Sequence, residues 1–121
     1  MDKQFLPYEE SLILREKGFI EECFGFYWTD THGLVYDNAI GRHHGTHLSA
    51  PLYQQVIDWF RKEKDIQIEI RLWGGFDWFY MLHVNGVLQT WYSPSHYGRE
   101  DWSTGYNDVM LYAIKEALTL I

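Results

Sequence analysis

The stretch from Ile66 to Tyr92 restricts the fold more than any other part of the chain. Apolar and polar residues alternate along it, and two dipeptides, Gly74-Gly75 and Asn85-Gly86, interrupt the alternation. Two-residue hairpin loops require positive φ at their central positions, which Gly and Asn adopt at low cost. The expectation is a three-stranded antiparallel meander.

The two turns imply a register. If Trp73 pairs with Phe76 and Val84 with Val87, then Ile70 faces Phe79, Ile68 faces Met81 and Ile66 faces His83. Directly opposed residues share a side of the sheet. One face then carries Ile66, Ile68, Ile70, Leu72, Phe79, Met81, Leu88 and Tyr92, with Asp77, His83 and Thr90 as polar members. That face reads as a core. The other carries Gln67, Glu69, Arg71 and Gln89 among Trp73, Phe76, Trp78, Tyr80, Leu82 and Trp91. It is too apolar to be left fully wet, so Trp73, Phe76, Trp78, Tyr80 and Trp91 form the candidate binding surface.

Composition narrows the function classes. A chain of 121 residues with 46% hydrophobic content is expected to form one α+β domain over residues 1–121, with a core that needs no staples. Aromatics reach 18%, which fits either a bulky core or an interaction surface. A net charge of −7 opposes direct nucleic-acid binding, which needs clustered Lys and Arg. No apolar run has the length of a membrane span, and the N-terminus lacks a signal-peptide pattern. Cys23 is the only cysteine, so an intramolecular disulfide is excluded and a reducing, cytoplasmic setting is expected.

Around the meander the chain supplies helices and short strands. Leu6-Pro7 opens a helix expected over residues 7–17, with Gly18 as its terminating residue. Phe24 to Trp28 and Leu34 to Asp37 read as short strands. Residues 38–48 have no period and read as a loop. Ser49-Ala50-Pro51 starts a second helix, with Leu52, Val56 and Phe60 on one stripe. A third runs from about Asn107 to the end, with Met110, Ile114, Leu118 and Ile121 in one row and Val109, Ala113, Ala117 and Leu120 in the next. The resulting order is α-β-β-α-β-β-β-α, an antiparallel sheet with helices on one face.

Residues capable of chemistry are few. His32, His43, His44 and His47 form the sharpest cluster, and a loop could use them to hold a divalent metal. Their spacing matches no established ligand framework, and the glutamate of an H-E-x-x-H helix is missing, so a solvated polar loop accounts for them as well. No cofactor is implied beyond an adventitious or weak metal there. Cys23 lies beside Glu21 and Glu22, which disfavours a thiolate. Asp77 and His83 are about 20 Å apart along one strand and cannot act as a pair.

Leu6-Pro7-Tyr8-Glu9, Leu12 with Leu14 to Cys23, Ala50 to Gln55, Trp59-Phe60-Arg61, the strand around Trp78 and the closing Ala- and Leu-rich helix form a pattern. In these stretches the chain resembles a family of small uncharacterised proteins from Bacteroidetes genomes, phages and mobile elements. The family has no assigned activity, so the resemblance implies no functional residue. It implies an accessory protein acting on a host or phage partner. The histidines of the segment between Cys23 and Ala50 are not part of the pattern.

Together these features favour a non-enzymatic interaction module that binds a protein partner or a second copy of itself. Two other readings compete: a metal-dependent enzyme using the histidine-rich loop 32–47, and an acidic inhibitor of a host nucleic-acid enzyme.

Overall fold

The computed structural model describes residues 4–36, 47–73, 77–93 and 105–121, with the side chains of Trp73 and Asp77 outside that description. The α+β class holds, and so does the predicted order of helices and strands, with one strand added. Among the described residues the strands form two three-stranded antiparallel sheets rather than one. Two compact units result, Met1–Gln55 and Val56–Ile121.

In the first unit, α1 (Tyr8–Glu16) follows Pro7 and carries Glu9 and Glu10 in its first turn, where the helix dipole favours negative charge. It stops where the sequence predicts. Gly18 has φ 106°, its N–H donates to the Arg15 carbonyl, and the Phe19 N–H donates to the Leu14 carbonyl. That pair of bonds is a Schellman closure, sealed by the burial of both Leu14 and Phe19.

The first sheet has the order β2-β1-β3, from β1 (Gly25–Trp28), β2 (Leu34–Val35) and β3 (His47–Ala50). β3 is the added strand. His47 and Leu48 stand where a loop was expected, and Ser49 and Ala50 where a helix was expected to start. Leu48 and Ala50 alternate inward with His47 and Ser49, and the strand pairs along all of β1, from Gly25↔Ala50 to Trp28↔His47. A four-residue strand has too short a period to stand out against neighbouring loop residues; the partner strand selects it.

The core of this unit gathers Phe5, Tyr27, Leu48 and Ala50, with Tyr8, Leu12, Leu34, Tyr36 and Leu52 around them. The buried Leu6 carbonyl accepts hydrogen bonds from the Tyr27 hydroxyl at 2.7 Å and the Ser11 hydroxyl at 3.1 Å. The Leu6 N–H donates to the Pro51 carbonyl. Both backbone polar groups of an inaccessible residue are thus satisfied, as burial requires.

α2 (Tyr53–Lys64) starts in the first unit and ends in the second. Tyr53, Val56 and Phe60 are buried at helical spacing, as is Trp59. The Lys64 ammonium lies over the Trp59 ring at 5.6 Å, and Asp65 ends the helix at φ 52°.

The second unit holds the meander, β4 (Ile66–Trp73), β5 (Asp77–Val84) and β6 (Val87–Tyr92), in that spatial order. α3 (Tyr106–Thr119) packs on β4 and β5. The side chain of Asp108 reaches back to accept the Gly105 N–H at 3.3 Å. Val109, Met110, Ala113, Ile114, Ala117 and Leu118 are buried, as the two rows predict, but the last member of each row lies past the helix end, where Leu120 is 43% exposed and Ile121 partly exposed.

The register of the meander differs from expectation. The Asn85-Gly86 turn stands, with φ 52° and 82°, and Val84 pairs with Val87 across it. In the first hairpin, however, Trp73 pairs with Asp77 rather than Phe76, so Ile70 faces Tyr80, Ile68 faces Leu82 and Ile66 faces Val84. An odd residue in a connection flips one strand's side chains relative to its neighbour. A register shift between Leu82 and His83 then restores the match with β6: His83 still faces Leu88, but Leu82 faces Thr90 and Tyr80 faces Tyr92.

Candidate interaction surface

The two faces of the meander follow from that register. The inner face joins Ile66, Ile68 and Ile70 on β4 to Trp78, Tyr80 and Leu82 on β5 and to Thr90 and Tyr92 on β6. Ile66, Ile68, Tyr80 and Leu82 are buried. The Tyr80 hydroxyl donates to the Glu116 carboxylate of α3 at 2.9 Å. Burial, then that hydrogen bond and the nearby carboxylate charge, hold the phenol well above its ordinary range. Trp78 meets the Tyr106 ring of α3 edge-on at 5.0 Å, and its carbonyl accepts the Ser93 hydroxyl at 3.0 Å.

The five aromatics expected on one binding face are therefore divided. Trp78 and Tyr80 belong to the inner side and pack with α3, and Trp91 belongs to the outer side. The cause is the one-residue difference in the first hairpin. Phe76 and the side chain of Trp73 lie outside the described residues.

The outer face carries other residues instead. Gln67, Glu69 and Arg71 come from β4, Phe79, Met81 and His83 from β5, and Leu88 and Trp91 from β6. Phe79, Met81 and Leu88 were assigned to the core side by the expected register. Phe79 and Trp91 contact each other at 5.2 Å, Leu88 is 52% exposed and Trp91 37% exposed. Arg71 and Glu69 pair at 3.4 Å in the solvated layer. The result is a mixed strip, apolar on β5 and β6 and polar with both charge signs on β4. The sequence signal for it was the alternation of β5; only the loop length decided which half of the alternation faced out.

Of the histidine cluster, His32 and His47 fall among the described residues. His32, at φ 59°, stacks on the Tyr8 ring with centroids 3.6 Å apart, and His47 meets the Phe26 ring edge-on at 5.4 Å. His43 and His44 lie outside the described residues, and among those described no group of three or more His, Cys, Asp or Glu could hold a metal ion. Cys23 is half-buried, and its thiol is pushed up to about 11, first by burial and then by the Glu21 charge, against hydrogen bonds from Ser49 and Gln55. Such a thiol stays protonated at neutral pH and is a poor nucleophile. Among the described residues no helix is long and apolar enough to cross a membrane.

Comparison with known proteins adds no family. No family model, curated protein or solved structure matches the chain.

Proposed function

We propose that this chain is a non-enzymatic interaction module that binds another protein chain through the outer face of its meander. The observation that carries the reading is the Phe79–Trp91 pair, extended by Met81 and Leu88 and bordered by Gln67, Glu69 and Arg71. Aromatic and Met side chains beside an Arg are the composition of protein contact surfaces, and the polar border keeps such a face compatible with water. The elevated thiol of Cys23 supports the same reading, because it removes one candidate nucleophile.

We propose a cytoplasmic setting, which fits the single cysteine Cys23, and the role of an accessory protein of a phage or mobile element, as the sequence resemblance implies. The test is affinity capture from a native host with wild-type protein and with Trp91→Glu and Leu88→Glu variants. A partner held by the wild type and lost by both variants supports the assignment. Equal capture by all three sinks the face as the contact surface.

A further inference from the structure

We propose that the partner of this face is a second copy of the chain, bound face to face about a two-fold axis over the Ile70–Tyr80–Tyr92 row. The inference rests on the interaction reading above and gives that partner an identity.

Glu69, Met81 and Trp91 form one outward row across the sheet, and Arg71 and Phe79 form the next. Between them lies the row Ile70, Tyr80 and Tyr92, whose side chains point inward. A two-fold interface must be self-complementary, because each patch meets its own copy. An axis along that middle row, midway between two facing sheets, lays each strand antiparallel on its own copy and exchanges the two outward rows. Glu69 of one protomer then meets Arg71 of the other, and Phe79 meets Met81. One operation matches charge with opposite charge and apolar with apolar. Packed sheets about 10 Å apart, rotated by about 30°, leave room for these side chains to interdigitate.

Charge also selects this face. Two copies carrying −7 each repel overall, and like charges brought together oppose association. The described side chains of the outer face carry one carboxylate and one guanidinium, which cancel. Size sets the strength. Three strands of this length give a footprint on the order of 400 Å², below the roughly 800 Å² per partner of standard stable interfaces. The dimer is accordingly weak and concentration-dependent.

Sedimentation velocity of the full chain, from micromolar to near-millimolar concentration, tests the proposal. The expected result is a reversible monomer–dimer equilibrium in which Glu69→Arg and Arg71→Glu each weaken association by about tenfold. An equimolar mixture of the two variants regains it, because the doubly basic strand meets the doubly acidic one. A mixture that associates no better than either variant alone overturns the axis, and a wild type monomeric throughout overturns the second copy as partner. Oxidative labelling of Met81 and Trp91 in that monomer separates the two levels: ready labelling leaves the interaction reading standing, whereas protection means the chain covers its own face and both fall. Circular dichroism checks that the variants fold; should either swap unfold, Glu69→Gln and Arg71→Gln replace it, with concentration-dependent protection of Met81 as the readout.

Discussion

Among the described residues, the two sheets have the same number of strands and use their aromatic residues differently. In β2-β1-β3 the rings turn toward one another: Phe5 stacks with Phe24 and Tyr36, Tyr8 with His32, and Tyr8 meets Tyr27 edge-on. The strands there have two or four residues, too short to bury much surface through their own side chains. Large rings and the buried Leu6 peptide supply what the ladder lacks. In β4-β5-β6 the strands are longer, and aliphatic residues with α3 make the core. One face suffices for stability there, and the other keeps Phe79 and Trp91 at the surface. A high aromatic content thus has two meanings in one chain, packing in the first sheet and an outward strip in the second.

Substitutions can break or sharpen that contrast. The largest effect is expected for Phe5→Ala, which removes a ring that is 2% exposed and in contact with two other rings. Loss of a buried Phe costs about 3–5 kcal/mol, enough to threaten folding of a small domain. Chemical denaturation measures it, and a loss below about 1 kcal/mol would mean that the aromatic cluster does not support the first sheet.

Gly25→Ala comes next. A Cβ at Gly25 would stand 2.8 Å from the Phe5 ring and 3.1 Å from the Val35 carbonyl oxygen. The ring is buried and the carbonyl belongs to β2, so neither yields cheaply. Overpacking of this kind costs about 1–3 kcal/mol, read from the same denaturation curves. A neutral outcome would show that Phe5 can repack.

Tyr27→Phe is expected to cost about 1 kcal/mol, the net worth of one buried hydrogen bond, because Ser11 still donates to the Leu6 carbonyl. The double variant Tyr27→Phe, Ser11→Ala should lose more than the two single losses combined, since it orphans a buried acceptor. Simple additivity would argue that water reaches Leu6.

Alkaline pH probes both regions with smaller shifts. The Cys23 thiol is raised from 9.0 to about 11 and the Tyr80 phenol is raised above its ordinary 10.0. Each group keeps its proton longer in the folded state than in the unfolded one. Their contributions are whole below the unfolded values and are lost as pH climbs through the folded ones. Stability should therefore decline from pH 9 upward through Cys23, and above pH 10 through Tyr80 as well. Cys23→Ala should flatten the part of the decline from 9.0 to about 11, and Tyr80→Phe the part that starts at 10.0. Urea midpoints measured across this range decide; unchanged slopes in both variants contradict the assignment.

The smallest effect belongs to Trp91→Ser. Trp91 is partly exposed on the outer face, so thermal unfolding should shift by no more than a surface substitution does, within about 0.5 kcal/mol. The contrast with Phe5→Ala states the comparison in one measurement: equal losses would mean that the outer strip is core.

Local chemistry alone determined much of this protein. Pro7 and Gly18 bracket α1, Asn85-Gly86 turns the second hairpin, and the periodicity of residues 109–118 names the buried rows of α3. Each is written within a few neighbouring residues, at a spacing set by backbone geometry. The isoleucines of β4 were legible as inward-facing for the same reason. Tertiary structure decided what depends on a partner strand. β3 exists because β1 pairs with it from Gly25 to Trp28, although nothing in His47–Ala50 marks a strand. The candidate surface depends on the pairing of Trp73 with Asp77 and on the shift between Leu82 and His83. Alternation along β5 says that Phe79 and Met81 share one side and Tyr80 and Leu82 the other. It carries no information on which side is buried, because a two-residue period is unchanged by exchanging its halves, and only the strand docked beside it breaks that symmetry.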